Sequence, residues 1–178
     1  EFYFTKDGEF MSETIDMCSR HKLFKWEFEL DIDKWDSMDG EVKKIVSQEW
    51  KMVKYMNDDG TELNEEINKV PDDKGGVYLF VLKPELIPKY HVYIMYIGRA
   101  RRQKNFSLRK RCREYMRDSR DEIMLMRKYL GRKLYFRYLP LDDDDEIIKV
   151  ERELLRVILP PCNKQYPDYN ILPAKKAF

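Results

Sequence analysis

The chain has 178 residues, of which 43% are apolar types and 13% aromatic, a composition that supports the core of one folded domain and excludes a disordered chain. Its 34 basic and 33 acidic side chains nearly cancel, leaving a net charge of +1. No apolar run reaches the about 18 residues of a membrane helix, and no basic-then-apolar pattern marks a secretory leader. Cys18, Cys112 and Cys162 are scattered and only His21 and His91 are present, which excludes a disulfide scaffold, a cysteine zinc knuckle and a histidine-rich zinc site. Oxygen ligands are therefore expected for any metal, a reducing cytoplasm is the expected compartment, and no membrane partner is expected.

In chain order, residues 1–10 precede Met11 and read as an appended leader. From Leu23 to Ile32 polar and aromatic or aliphatic residues alternate, which predicts a strand. Val42, Ile45, Val46, Glu49, Trp50 and Val53 approximate a helical stripe over Gly40–Tyr55, with Asp39 as its cap and Asn57-Asp58-Asp59-Gly60 as its stop. Residues 11–74 thus read as a strand-helix extension of unassigned role, joined by a polar stretch to a denser unit over 75–178. There, Gly76–Leu82 and His91–Ile97 predict a hairpin. Ser107–Met116 predicts a basic helix with Leu108, Cys112, Tyr115 and Met116 inward, and Asp121–Leu130 a second helix stopped by Gly131. Lys133–Leu139 predicts a third strand. The run Asp142–Asp145 opens a helix to Leu159, ended by Pro160-Pro161, and an irregular tail is expected from Pro167.

The near-zero net charge conceals a separation. Residues 1–75 carry 11 basic and 20 acidic side chains, whereas residues 99–133 carry 14 basic and 4 acidic. Such a basic segment suits a polyanion, and Arg99, Arg101, Arg102, Lys104, Arg109 and Lys110 are its candidate nucleic-acid contacts. The bland alternative is a solvated helix surface with acidic partners in the same chain.

Two carboxylates compete on the last helix. Glu151 has Ile147, Ile148, Leu154 and Leu155 as its helical neighbours, so it lies on the core-facing stripe and needs a cation, either a metal or an arginine. Glu153, between Lys149 and Arg156, has the environment of a surface acid. On the basic helix Arg111 borders the inward stripe and shares a ridge with Tyr115, placing a guanidinium fork beside a phenol.

Gly76-Val77-Tyr78 opening one strand, Tyr96-Ile97-Gly98 closing the next, Leu108-x-x-Arg111-x-x-x-Tyr115 on a helix, Glu151 on a later helix and Asn163 after Pro160-Pro161 form an ordered set. Over about residues 75–170 this set resembles the GIY-YIG nuclease superfamily, with Val in the middle of the first triplet. The spacing of Glu151, Pro160 and Asn163 is similar to that in the nuclease domain of the bacterial excision-repair incision subunit and in some type II restriction enzymes of the superfamily.

The resemblance implies an α+β domain with a three-stranded antiparallel sheet flanked by helices, and an active site on one sheet face. It implies a metal-dependent endonuclease that hydrolyses phosphodiester bonds in DNA, double-stranded before RNA, in restriction, repair or mobile-element work. A homodimer is the form expected to cut both strands. By this resemblance Glu151 holds one Mg²⁺ or Mn²⁺, and Tyr78 and Tyr96 stand beside the attacking water with Tyr78 as general base. Arg111 binds the non-bridging phosphate oxygens, Tyr115 hydrogen-bonds water or phosphate, and Asn163 orients the site. A free phenol has a pKa of ~10, so nearby cations must depress that of Tyr78 for it to act as base. The basic connection from Arg99 to Ser107 is longer than the usual one, which makes Arg109 the fallback for Arg111, and Tyr93 rivals Tyr96. The alternative function is a non-catalytic nucleic-acid or protein-binding module of the same fold.

Overall fold

The computed structural model describes residues 25–84, 86–87, 91–101 and 106–167. Its elements are α1 (Ile32–Asp36), α2 (Gly40–Val46), β1 (Lys51–Lys54), β2 (Gly75–Leu82), β3 (Tyr93–Ala100), α3 (Leu108–Glu114), α4 (Asp121–Leu130), β4 (Leu134–Leu141) and α5 (Asp144–Ile158). The strands form one antiparallel sheet in the order β1-β4-β2-β3.

Alternation along β2 produces two buried layers, because successive side chains point to opposite faces. Val77, Leu79 and Val81 join Ile97, Leu139 and Leu141 under Ile147, Val150, Leu154 and Leu155 of α5, with Val42 of α2 beside them. Tyr78 and Phe80 join Tyr96, Phe136 and Tyr138 against Leu108 and Cys112 of α3 and Ile123 and Met126 of α4. Each fully buried aliphatic or phenylalanine side chain contributes about 1.5–3 kcal/mol, so β2, covered on both faces, anchors both layers.

Two backbone features set the hairpin. Phe80 pairs with Tyr96 but Val81 with Ile94, so Met95 is an extra residue in β3, a bulge. At Gly76 the backbone takes φ +148°, and a Cβ there would lie 2.2 Å from the Leu139 carbonyl oxygen, so only glycine lets β2 enter beside β4.

The caps follow local chemistry. Ser107 accepts from the Lys110 amide at the start of α3, and Asp143 from the Glu146 amide, at 2.7 Å, at the start of α5. Leu159 ends α5 in the left-handed conformation, φ 50°, and Pro160 prevents the helix from continuing. The chain then turns back along β3: the Cys162 amide donates to the Met95 carbonyl at 2.9 Å. Asn163 accepts from the Ile97 amide and donates to the Ile97 carbonyl, both at 2.9 Å. At the other side of the sheet, the Lys54 amide of β1 donates to the Glu66 carboxylate at 2.8 Å.

Five expectations are corrected. The alternating segment is not a strand: residues 25–31 have no regular structure, Ile32 starts α1, and Leu23 and Phe24 lie outside the described residues. Asp31 accepts from the Lys34 amide, a local cap that competes with extended pairing. The helix over Gly40–Tyr55 stops at Val46 and is followed by β1, since the stripe that suggested one helix serves two layers, Val42 under α5 and Val53 in the phenol-containing cluster. The sheet accordingly has four strands, not three, because residues 51–54 pair with β4. The polar stretch before Gly75 contains a 3-10 turn, Glu65–Lys69, and buries Ile67 and Val70 in the same core. Finally, Glu153 has the Arg156 partner its spacing suggests but is largely buried rather than a surface acid. Its side chain is 16% exposed, it pairs with Arg156 at 2.5 Å and accepts from the Asp39 amide at 2.8 Å, fastening α5 to the α1–α2 corner.

The hairpin, both later helices of the basic segment, the third predicted strand and α5 lie where the periodicity places them, within three residues at each end. Residues 1–10 and 168–178 lie outside the described residues, as do Arg102 and Lys104. No helix among the described residues is long and apolar enough to cross a membrane.

Candidate active site

The site is built from a phenol. Tyr78 leaves the middle of β2 toward α3, and its hydroxyl lies 2.6 Å from that of Tyr115 at the end of α3 and accepts from Arg111 Nε at 3.3 Å. The Tyr78 ring passes over Gly98, its register partner on β3, where a Cβ would sit 2.5 Å from the phenol oxygen. The glycine after Tyr96-Ile97 is thus a space requirement of Tyr78. Tyr96 packs on Tyr115 with ring centroids 5.5 Å apart, so three phenols separated by up to 37 residues form one cluster. Tyr93, the rival, lies apart: it is exposed, bonded to His91 and packed on Phe28.

Arg111 closes the cluster. Its guanidinium lies 5.0 Å from the Tyr115 ring centroid and pairs with Glu114 through Nη1 at 2.8 Å. Arg109, the fallback, instead donates to the carbonyls of Val70 and Asn68 at 2.7 and 2.9 Å, tying α3 to the preceding turn. Burial pushes the Tyr78 and Tyr115 hydroxyls above the ordinary phenol range, with Arg111 pulling the other way. The net direction is opposite to the depression that a general base requires.

Glu151 approaches from elsewhere. Its helix packs on the sheet face opposite the phenols, which corrects the expectation of a site confined to one face. Its carboxylate is 13% exposed and forms a short ion pair with Arg99 of β3, the outer strand. Burial raises its pKa, while the charges of Arg99, Arg101 and Arg111 lower it. The same Arg111 that bonds Tyr78 therefore feels Glu151, and the edge of β3 links carboxylate and phenols. No cluster of three His, Cys, Asp or Glu side chains exists among the described residues, so Glu151 offers a single carboxylate. That fits one Mg²⁺ completed by water and substrate phosphate, with Arg99 displaced, and does not fit a pair of ions.

No family model, curated protein or solved structure matches the chain. The residues themselves carry the functional reading.

Asn163 does not reach the phenols through its amide; it holds the Ile97 main chain between Tyr96 and Gly98 on both sides. Asn163→Ala leaves that amide and carbonyl without these partners and is expected to cost about 1–3 kcal/mol. Urea denaturation checks the loss, and faster amide exchange at Ile97 localises it.

Among the basic residues, Arg99 is engaged by Glu151, whereas Arg101 and Lys110 are exposed. Sequence reasoning missed Arg120. It precedes α4, outside any helical stripe, and its guanidinium lies 5.5 Å from the Tyr96 ring centroid and 5.8 Å from that of Tyr115. Its only sequence signal is the Arg117-Asp118-Ser119-Arg120 charge pattern between two helices.

Proposed function

We propose that the protein is a metal-dependent endonuclease of the GIY-YIG type acting on DNA. The observation that carries the reading is the meeting at one oxygen of Tyr78, Tyr115 and Arg111, with Gly98 shaped around it and Glu151 in the field of the same arginine. A packing role alone explains buried rings, but not a guanidinium and two hydroxyls converging at one oxygen.

In this reading Arg111 binds the non-bridging oxygens of the scissile phosphate as negative charge grows there, an interaction that strengthens toward the transition state. Tyr78 and Tyr115 act as neutral hydroxyls, one donating to the other, and orient a water or phosphate oxygen. Asn163 fixes the strand that carries Tyr96 and Gly98. Glu151 supplies the carboxylate for one Mg²⁺ or Mn²⁺; such an ion, when bound, polarises the phosphate and stabilises the leaving oxygen. Arg99 neutralises Glu151 when no such ion is held. Incubating the protein with supercoiled plasmid and Mg²⁺ or Mn²⁺ tests the proposal: nicked or linear product that disappears with chelator is expected, and its absence with both ions overturns the reading.

The Arg99 pair gives a sharper test. With a neutral side chain in its place the ion no longer competes with a guanidinium. Arg99→Gln is expected to lower the Mg²⁺ concentration for half-maximal cleavage about fivefold, the equivalent of ~1 kcal/mol for a partly exposed pair. Removing that positive charge also raises the Glu151 pKa further. Protonation then begins at higher pH on acidification, and the acid limb of the pH–rate profile moves up. A Mg²⁺ titration at two pH values checks both shifts.

A further inference from the structure

We propose that Arg120 is a second phosphate-binding group of this site, so that the protein grips two adjacent phosphates of one strand. The inference rests on the nuclease reading and deepens it. Two guanidinium groups lie near the Tyr115 ring, Arg111 at 5.0 Å and Arg120 at 5.8 Å from its centroid. Two like charges sharing one buried ring need compensation, and each has its own acid.

Glu114 takes Nη1 of Arg111. Asp118 takes Nε of Arg120 at 3.0 Å and Nη2 at 2.7 Å. Nη2 of Arg111 is outside its ion pair, and Arg120 hydrogen-bonds Tyr96 as well as Asp118. The loop is itself fixed, since Arg127 donates to the carbonyls of Asp118 and Met116.

Arg120 is thus a pre-set fork, as a side chain that must meet a phosphate without further ordering should be. The Arg120 side chain holds the Asp118 carboxyl below its ordinary range. The Arg120 side chain is 44% exposed while the phenols beneath it are buried, placing the guanidinium at the solvent side of the cluster. A stacking role alone does not need the bidentate acid.

Counterion release measures the contact directly: each phosphate neutralised contributes about 0.9 to the slope of log affinity against log salt for duplex DNA. Binding of a fluorescent duplex is followed in chelator with Glu151→Gln protein, alone and carrying Arg120→Gln or Arg120→Lys. The expected result is a slope shallower by about 0.9 for Arg120→Gln and near-complete restoration by Arg120→Lys. A slope unchanged by Arg120→Gln, with or without a lowered melting temperature, overturns the proposal, as does absence of duplex binding. Plasmid cleavage by the wild-type chain distinguishes the two ideas. Cleavage with an unchanged slope removes the second phosphate contact and leaves the nuclease reading. A shallower slope without cleavage leaves the phosphate contact and removes the nuclease reading.

Discussion

Glu151→Gln is expected to lower the rate of metal-dependent cleavage at least about 10³-fold, a loss of ~4 kcal/mol of transition-state stabilisation, while leaving the fold intact. The amide has the size of the carboxylate but no charge to hold a cation. Its effect on stability follows from the direction of the Glu151 shift. Burial raises the folded-state pKa, so the protonated form is the one the fold prefers, and the associated stability is present at low pH and lost as pH rises through that pKa. A neutral isostere therefore resembles the preferred form. Arg99, which loses its partner, is partly exposed and keeps access to water. Melting at neutral pH is expected to be unchanged or slightly higher, and cleavage absent. Plasmid nicking and a thermal melt on the same preparation check both; nicking equal to wild type refutes the role given to Glu151.

The second large effect separates the two motif glycines. Gly76→Ala puts a methyl group 2.2 Å from a main-chain oxygen of β4 at a φ that side chains rarely adopt, and neither β2 nor β4 can move without dislodging a buried layer. A loss of about 3 kcal/mol or more is expected, corresponding to a melting temperature lower by about 10 °C. Gly98→Ala meets a side chain instead, the Tyr78 phenol at 2.5 Å. The ring must shift, which separates its hydroxyl from Tyr115 and Arg111. The expected result is a smaller fall in melting temperature with a larger fall in cleavage. Melting curves and initial rates of both variants, compared side by side, test the assignment of one glycine to the fold and the other to the site.

The sequence made legible what depends on local pattern. β2 is a continuous run of β-branched, aromatic and aliphatic residues, as a strand buried on both faces should be, and α5 carries both its cap and its stop. Arg111 and Tyr115 were found because helix spacing places them on one ridge, and Tyr78 through the resemblance of its Gly76-Val77-Tyr78 triplet. Less legible was whatever depends on a distant partner. Val53 fits a helical stripe by coincidence, and only its pairing with Phe136 makes it a strand residue. Phe28, Leu30 and Ile32 alternate but are exposed, with a local cap at Asp31 drawing the chain into a helical turn. Glu151 required a cation by its neighbours, but which arginine answers it is set by where β3 lies against α5. Arg120 escaped because it acts from a turn, where no periodicity exists to read.

The side-chain bonds at the two outer strands carry a consequence for self-association. A bare strand edge invites another chain to extend the sheet, a route to swapped or fibrillar assemblies. Here the Glu66 carboxylate takes the Lys54 amide on one side, and the Asn163 carboxamide takes both polar groups of Ile97 on the other. At these positions an incoming strand finds donors and acceptors already satisfied, so a second molecule gains little from main-chain recruitment there and has to be met through side chains.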